Sequence, residues 1–344
     1  MWLQRRKRPP TPRSVGSSVN PLGISMGDHS MVHVSKRRAT SYGLLQAFVL
    51  LGTLSACQTR PAVPVEASSL DLTKDTYAAP GGWTGGEGTI EQPFDLQTAL
   101  SAKSPIKPGG TVWLRGGTFK GVFTSVLTGT QGAPITVRPY PGEHVILDSA
   151  GAKQAALTVN GAWAIFRDFE ITDSDTTRTG PADGGRGSGV DVHGVNTKIV
   201  NLVVHDAGSG IGMWSDAVDA EAYGNIIYYN GWMGPDRSHG HGIYTQNKAG
   251  VRRIVDNVVF NQFGMGLHVY GSDQAFLDDL HIEGNVVFTN GILRDFNILL
   301  GGHRVANRPV VLFNHTYDRS GSGNNVGYQA GCADLTMKGN YFGA

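Results

Sequence analysis

The 344-residue chain has two cysteines, Cys57 and Cys332, which excludes a disulfide framework. Its N-terminal apolar run, residues 43–54, falls short of the ~20 residues a membrane-spanning helix requires. Basic charge is scarce beyond that run. Residues 1–56 carry 8 Lys/Arg and 1 Asp, whereas residues 57–344 carry 21 Lys/Arg and 27 Asp/Glu, a net charge near −6. A nucleic-acid binder shows a basic face, so nucleic acid is not an expected partner. No Gly-X-Y period is present, which excludes collagen, although the 48 glycines are about twice the usual ~7% share. Abundant Gly with only 16 Pro suits many short strands joined by tight turns.

What is present begins with an address. Lys36, Arg37 and Arg38 precede the short apolar run, and a charged segment before a short apolar one is a secretory signal. The run ends in Leu54-Ser55-Ala56-Cys57, which resembles the lipobox of bacterial lipoproteins, whose cysteine is acylated and becomes the new N-terminus. The resemblance implies an exported protein, lipid-anchored to a membrane through Cys57 in the cell envelope, with the outer membrane favoured. Counted from Met1 the charged segment is long, while Met31 or Met26 gives a signal of ordinary length. Residues 1–30 are therefore expected not to be translated. Residues 1–57 read as signal region, and residues 58–75 as a tether whose start is rich in Pro and small side chains. With Cys57 acylated, Cys332 has no partner and is expected to be a buried, inert thiol.

A repeat decides the fold. It reads Asn201-Leu-Val-Val-His-Asp, Asn225-Ile-Ile-Tyr-Tyr-Asn, Asn257-Val-Val-Phe-Asn-Gln and Asn285-Val-Val-Phe-Thr-Asn, with weaker copies at Asp168, Asn314 and Asn340. A second strand follows each copy, as in Gly189-Val-Asp-Val-His, Gly210-Ile-Gly-Met-Trp, Gly242-Ile-Tyr-Thr-Gln and Gly266-Leu-His-Val-Tyr. A third lies between, as in Gly250-Val-Arg-Arg-Ile-Val. Short β-branched runs, three per unit of ~25 residues, predict an all-β fold: a right-handed parallel β-helix solenoid over residues 76–344. Side-chain alternation predicts that the first and third residues after each Asn point inward. The Asn residues are expected to stack as an amide ladder at a turn. Asp95 begins a short helix over residues 95–102, predicted to close the N-terminal end of the core. The other end stops inside a coil, so a C-terminal truncation is expected.

These residues resemble the pectate-lyase-like superfamily of right-handed β-helix proteins. The stretches Pro93-Phe-Asp-Leu-Gln-Thr-Ala-Leu, Pro108-Gly-Gly-Thr-Val-Trp-Leu-Arg-Gly-Gly-Thr-Phe and Ala133-Pro-Ile-Thr-Val-Arg-Pro-Tyr-Pro-Gly are similar to the opening of many secreted β-helix proteins, the chondroitinase-B and alginate-lyase group among them. The resemblance implies a polysaccharide partner and a substrate groove on the strand that follows each Gly, walled by the loops before it. The Lys/Arg catalytic pair of the chondroitinase-B group has no clear counterpart, since the central coils carry little Lys.

On that strand, alternation places Asp191, His193, Trp214, Tyr244, Gln246, His268, Tyr270, Asn297 and Gln329 in an outward column. Asp191, His193, Trp214, Gln246, Tyr270 and Asn297 are the candidate sugar-binding residues, since rings cover the apolar faces of sugars and polar groups bind hydroxyls. The longest insertions, residues 174–188, 231–241 and 291–295, should overhang the column. If the protein removes the C5 proton of a uronate, as a lyase or C5-epimerase, it needs a base, an acid and a group that neutralises the carboxylate. His241, Tyr244 and His268 are the candidate proton carriers, and Arg237 or Ca²⁺ the neutralising group. Asp216, Asp219 and Glu221 are the candidate Ca²⁺ ligands. A non-catalytic sugar-binding or structural surface lipoprotein is the alternative, and a glycoside hydrolase using Asp191 and Asp216 the second one.

Overall fold

The computed structural model describes residues 71–291, 296–317 and 323–343. Cys57 and its lipobox, the tether up to residue 70, and Arg294 and Asp295 of the third insertion lie outside the described residues. The described chain winds through eight coils of three strands, stacked into parallel sheets of ten, nine and eight strands. Every pairing within the three sheets is parallel; Val203, for example, stands beside Ile226, and Ile226 beside Val258. Period-2 patterning explains the arrangement. Strand Ile135–Pro139 buries Ile135, Val137 and Pro139 and leaves Thr136 and Arg138 partly open. One buried residue per strand then stacks on the next coil, as in Val204, Ile227, Val259 and Val287, all fully buried. The N-terminal end is closed by helix Leu96–Ala99, shorter than the sequence suggests. Asp95 caps it by accepting from the Thr98 N–H at 2.8 Å, and Leu96 and Ala99 are buried. Cys332 is a half-buried free thiol, pushed up by desolvation.

The amide ladder exists, with its register shifted from the one expected. Leu202 N–H donates to Asn225 Oδ1 at 2.9 Å, and Asn225, Asn257, Asn285, Asn314 and Asn340 follow, each Nδ2 donating to the next Oδ1 at 2.8–2.9 Å. These asparagines themselves point inward, so the second residue after each is the next buried one. Ile227, Val259, Val287 and Thr316 fill the core, while Ile226 and Val286 are exposed. The expectation that the first and third residues face inward holds only where Leu202 or Phe169 replaces the ladder Asn. Asn201 lies outside the ladder. It occupies the left-handed turn position (φ 52) that Gly224 and Asp256 fill in later coils, and its side chain donates to Asp168.

A second ladder runs at the corner after the nine-stranded sheet: Asn230 Nδ2 donates to Gln262 Oε1, the Gln262 backbone N–H to Asn290 Oδ1, and Asn290 Nδ2 to Asn297 Oδ1. The outer face of that sheet carries a stack of rings, Tyr228 on Phe260 and Phe260 on Phe288, with centroids 5.2 and 5.0 Å apart. Their faces cover one another, which stabilises the sheet and leaves ring edges toward solvent.

Candidate functional site

The outward face of the eight-stranded sheet carries the site. Register alone places Asp191, Gly212, Tyr244, His268 and Leu299 in one column across successive coils. Trp214, Gln246 and Tyr270 lie two residues further along their own chains, on the same face. Two insertions wall this face. Residues 231–241 form a hairpin in which Trp232–Met233 pairs antiparallel with Ser238–His239. The Trp232 ring stacks on His239 at 5.0 Å, and its indole N–H donates to Pro181 O of the 174–188 loop. That loop is fastened by Arg186, which is buried and donates to the carbonyls of Thr177, Asp175 and Asp206. Arg178 likewise pairs with Asp206. These two arginines hold the wall and do not face the groove.

His241, Tyr244 and His268 converge. Tyr244 packs 5.3 Å from His268, centroid to centroid, and Gln246 Nε2 donates to its phenolic oxygen at 2.6 Å. The Met265 N–H donates to His241 Nδ1 at 3.1 Å, and His241 Nε2 lies 2.9 Å from His268 Nδ1. A backbone N–H can only donate, so His241 Nδ1 is an acceptor and, in the neutral ring, Nε2 carries the proton. His268 Nδ1 then accepts, and His268 Nε2–H is the donor left for the groove. Both rings are held neutral. Burial pushes His241 well below its ordinary value, helped by His268 and Arg237, and burial with Arg237 lowers His268 to about 4.

Two clefts flank this pair along the solenoid axis. One, of about 250 Å³, is lined by Ser188, Asp191, Ser209, Gly212, Trp214, His241 and Tyr244. Burial pushes the Asp191 carboxyl up, against the pull of Trp214, Ser188 and His193. The other, of about 350 Å³, is lined by Arg237, Met265, His268, Tyr270, Phe296, Leu299 and Tyr328. Arg237 reaches it from the hairpin, and its one ion-pair contact among the described residues is a loose one of 3.5 Å with Asp236.

Three expectations are corrected. Asn297 does not face the groove: it is buried, ends the second amide ladder, and donates to Tyr317 O. It precedes strand Ile298–Gly302, so it sits at the corner where an inward amide satisfies turn backbone. Asp216, Asp219 and Glu221 do not converge. Asp216 binds His193 at 3.0 Å, Asp219 accepts the Val251 N–H, and Glu221 lies on the ten-stranded sheet paired with Lys198 at 2.6 Å. Among the described residues no three His, Cys, Asp or Glu side chains form a metal-binding group. Gln329 is displaced from the column by a register shift between Leu300 and Gly301, which brings Tyr328 beside Gly301 and into the second cleft. Ser188, Ser209 and Gly212 were not singled out in the sequence, because small residues carry no periodic signal. Met265 and Phe296 were missed because they precede their strands. The tandem Gly301-Gly302 was the available sign of the bulge.

A family model described as Pel9A-like, right handed beta helix region, matches residues 76–298. The chain belongs to this family. Its architecture is that of the pectate-lyase-like right-handed β-helices, and the solved structure of pectate lyase Pel9A aligns with TM-score 0.54 and 20% identity over 79% of each chain. A GH136 lacto-N-biosidase from Eubacterium ramulus aligns with TM-score 0.50 and 13% identity, over 79% of this chain and 67% of that one. In sequence, the chain is 39% identical over 79 residues to pectate lyase PEL9 of Emericella nidulans, covering 22% of this chain and 19% of that protein. It is 28% identical over 180 residues to pectate lyase L of Paenibacillus polymyxa, covering 48% and 36%. The chain thus spans well under half the length of these curated relatives. Likeness at this level shares a fold between proteins of different activities, so function rests on the groove.

Proposed function

We propose that the groove binds a uronate-containing polysaccharide and abstracts the C5 proton, as a lyase or C5-epimerase does. The carrying observation is the neutral His241–His268 pair, hydrogen-bonded in one direction and packed against Tyr244, with the cationic Arg237 on the cleft that His268 lines. In this reading Arg237 neutralises the uronate carboxylate, which acidifies C5–H. Tyr244, its oxygen held by Gln246, moves the proton, and the His268 N–H steadies the developing negative charge. A lyase then expels the O4 substituent; an epimerase returns a proton to the opposite face. Lyases among the relatives support the class of chemistry.

Mass spectrometry of products from a panel of acidic and neutral polysaccharides tests this. Unsaturated oligosaccharides one water lighter than hydrolysis products are expected of a lyase. Unchanged mass with deuterium taken up at C5 from D₂O marks the epimerase. Hydrolytic masses, or binding without either change, overturn the proposal in favour of Asp191/Asp216 hydrolysis or a binding protein. We further propose anchoring to the envelope through Cys57, supported by Leu54-Ser55-Ala56-Cys57. A Cys57→Ser variant that still fractionates with membranes and still incorporates labelled palmitate overturns that part.

A further inference from the structure

The two clefts have opposite electrostatic character. Arg237 serves the second, whereas the first has no Lys or Arg in its lining and contains the buried carboxyl of Asp191. The first cleft exists because Gly212 has no side chain. It stands in the outward column between Asp191 and Tyr244, and a Cβ there would come within 2.6 Å of Asp191 Oδ1. What remains is a hollow with two serine hydroxyls, a carboxyl, and the Trp214 and Tyr244 rings 5.4 Å apart. Asp191 Oδ1 and Trp214 Nε1 are both buried there, 2.6 and 3.4 Å from the point a Gly212 Cβ would occupy, and the indole N–H and the Ser188 hydroxyl both pull on the Asp191 carboxyl. A carboxyl, two hydroxyls and an indole N–H beside aromatic rings match the hydroxyls and apolar face of a neutral sugar. A uronate carboxylate placed there would lose water, meet no cation and face a like charge.

We propose that the Gly212 cleft is a subsite for a neutral sugar adjoining the uronate, so that the substrate is a heteropolymer of uronate and neutral residues and not a homopolymer of uronates. This rests on the reading that Arg237 holds a uronate in the neighbouring cleft. The subsite accepts hydroxyls through Asp191, Ser188 and Ser209 and rejects a second carboxylate through Asp191.

Titration calorimetry tests it with two probes: tetragalacturonate, which carries a carboxylate on every residue, and a rhamnose–galacturonate tetrasaccharide, which carries one on every second. The alternating probe should bind ~10-fold or more tightly than tetragalacturonate. Asp191→Asn, of equal shape and no charge, should shrink that ratio by strengthening tetragalacturonate binding. Should Asp191→Asn not fold, Gly212→Ala serves instead; filling the floor should weaken the alternating probe more than tetragalacturonate. Equal affinities for the two probes, or a ratio indifferent to both variants, overturn the subsite. Titrations are run in the Tyr244→Phe background, so that binding is read without turnover, and product is assayed on the wild-type chain. A preserved ratio with no product therefore overturns only the elimination chemistry, equal affinities with product overturn only the subsite, and failure of both probes to bind overturns both.

Discussion

His241 and His268 share a single hydrogen bond of 2.9 Å, from Nε2 of the first to Nδ1 of the second, and its direction is fixed from behind by the Met265 N–H. The bond tolerates no extra proton. A protonated His268 would carry hydrogen on Nδ1 and face the Nε2–H of His241, so the pair works only while both rings are neutral. Met265 precedes the strand that pairs with the one after His241, so a main-chain donor of one coil sets the side-chain tautomer of the coil beside it.

That requirement predicts an unusual pH profile. His268 titrates near 4, against 6.5 for an unburied imidazole. The acid limb of kcat/KM should therefore fall near pH 4, and Arg237→Ala, by removing a positive neighbour, should move it upward. Stability follows from the same shift. Between pH 6.5 and 4 the unfolded chain binds the proton at His268 and the folded chain does not, so stability declines as pH falls through this window and the His268 contribution levels off below it. The loss from His268 is about 3 kcal/mol at most. Urea unfolding at pH 7 and pH 4.5 on wild type and His268→Asn checks it: the pH slope should flatten in the variant.

Removing the phenol oxygen should separate chemistry from binding. Tyr244→Phe keeps the ring packing against Trp214 and His268 but leaves Gln246 Nε2 without its acceptor. Turnover should fall ~10²–10⁴-fold, the range for loss of a positioned proton carrier, with KM changed little. Arg237→Ala should instead raise KM as well as lower kcat. Steady-state kinetics on the uronate polymer identified by the product screen distinguishes them, and a Tyr244→Phe variant with near-normal kcat would remove Tyr244 from the reaction.

The column Asp191, Tyr244, His268 was legible in the sequence because a parallel solenoid repeats the same alternation on the same face coil after coil, so one correct strand fixes its neighbours. Asn297 and Gln329 were misplaced where that logic breaks: a ladder corner in one case, a bulge after Leu300 in the other. Glu221 is close to Asp216 and Asp219 in sequence, yet a corner falls between them and sends Glu221 to another sheet. The hydrogen bond between His241 and His268 joins side chains 27 residues apart in sequence and could not be read without coordinates. Nor could the emptiness above Gly212.

The ladder register has its own test. Asn257→Ala removes the acceptor for the Asn225 N–H and Nδ2 and the donor to Ala222 O, all buried. Each orphaned group costs about 1–3 kcal/mol, so the variant should lose at least ~2 kcal/mol. Asn201→Gly, in the motif's first copy but in the left-handed turn position, should change stability by less than ~1 kcal/mol. Equal losses in thermal unfolding would return Asn201 to the ladder.

Arg252 is the largest fully buried side chain, and its burden is electrostatic. Nη2 donates to Trp214 O at 2.9 Å, while Nε and Nη1 have no partner among the described residues, and burial lowers its pKa to about 10. A buried cation with two open donors contributes little net stability, whereas the volume of its stem fills the space behind the Trp214 loop. Arg252→Met keeps most of that volume and removes the desolvated charge, at the cost of one unmet carbonyl; the gains and losses should nearly cancel, leaving stability within ~1 kcal/mol of wild type. Arg252→Ala removes the volume too and should cost ~2–4 kcal/mol more than Met, a melting temperature lower by roughly 5–15 °C for a domain of this size. If Met and Ala destabilise alike, the guanidinium is holding the fold through its charge, by the attraction of Asp216 and Asp219 that opposes the shift.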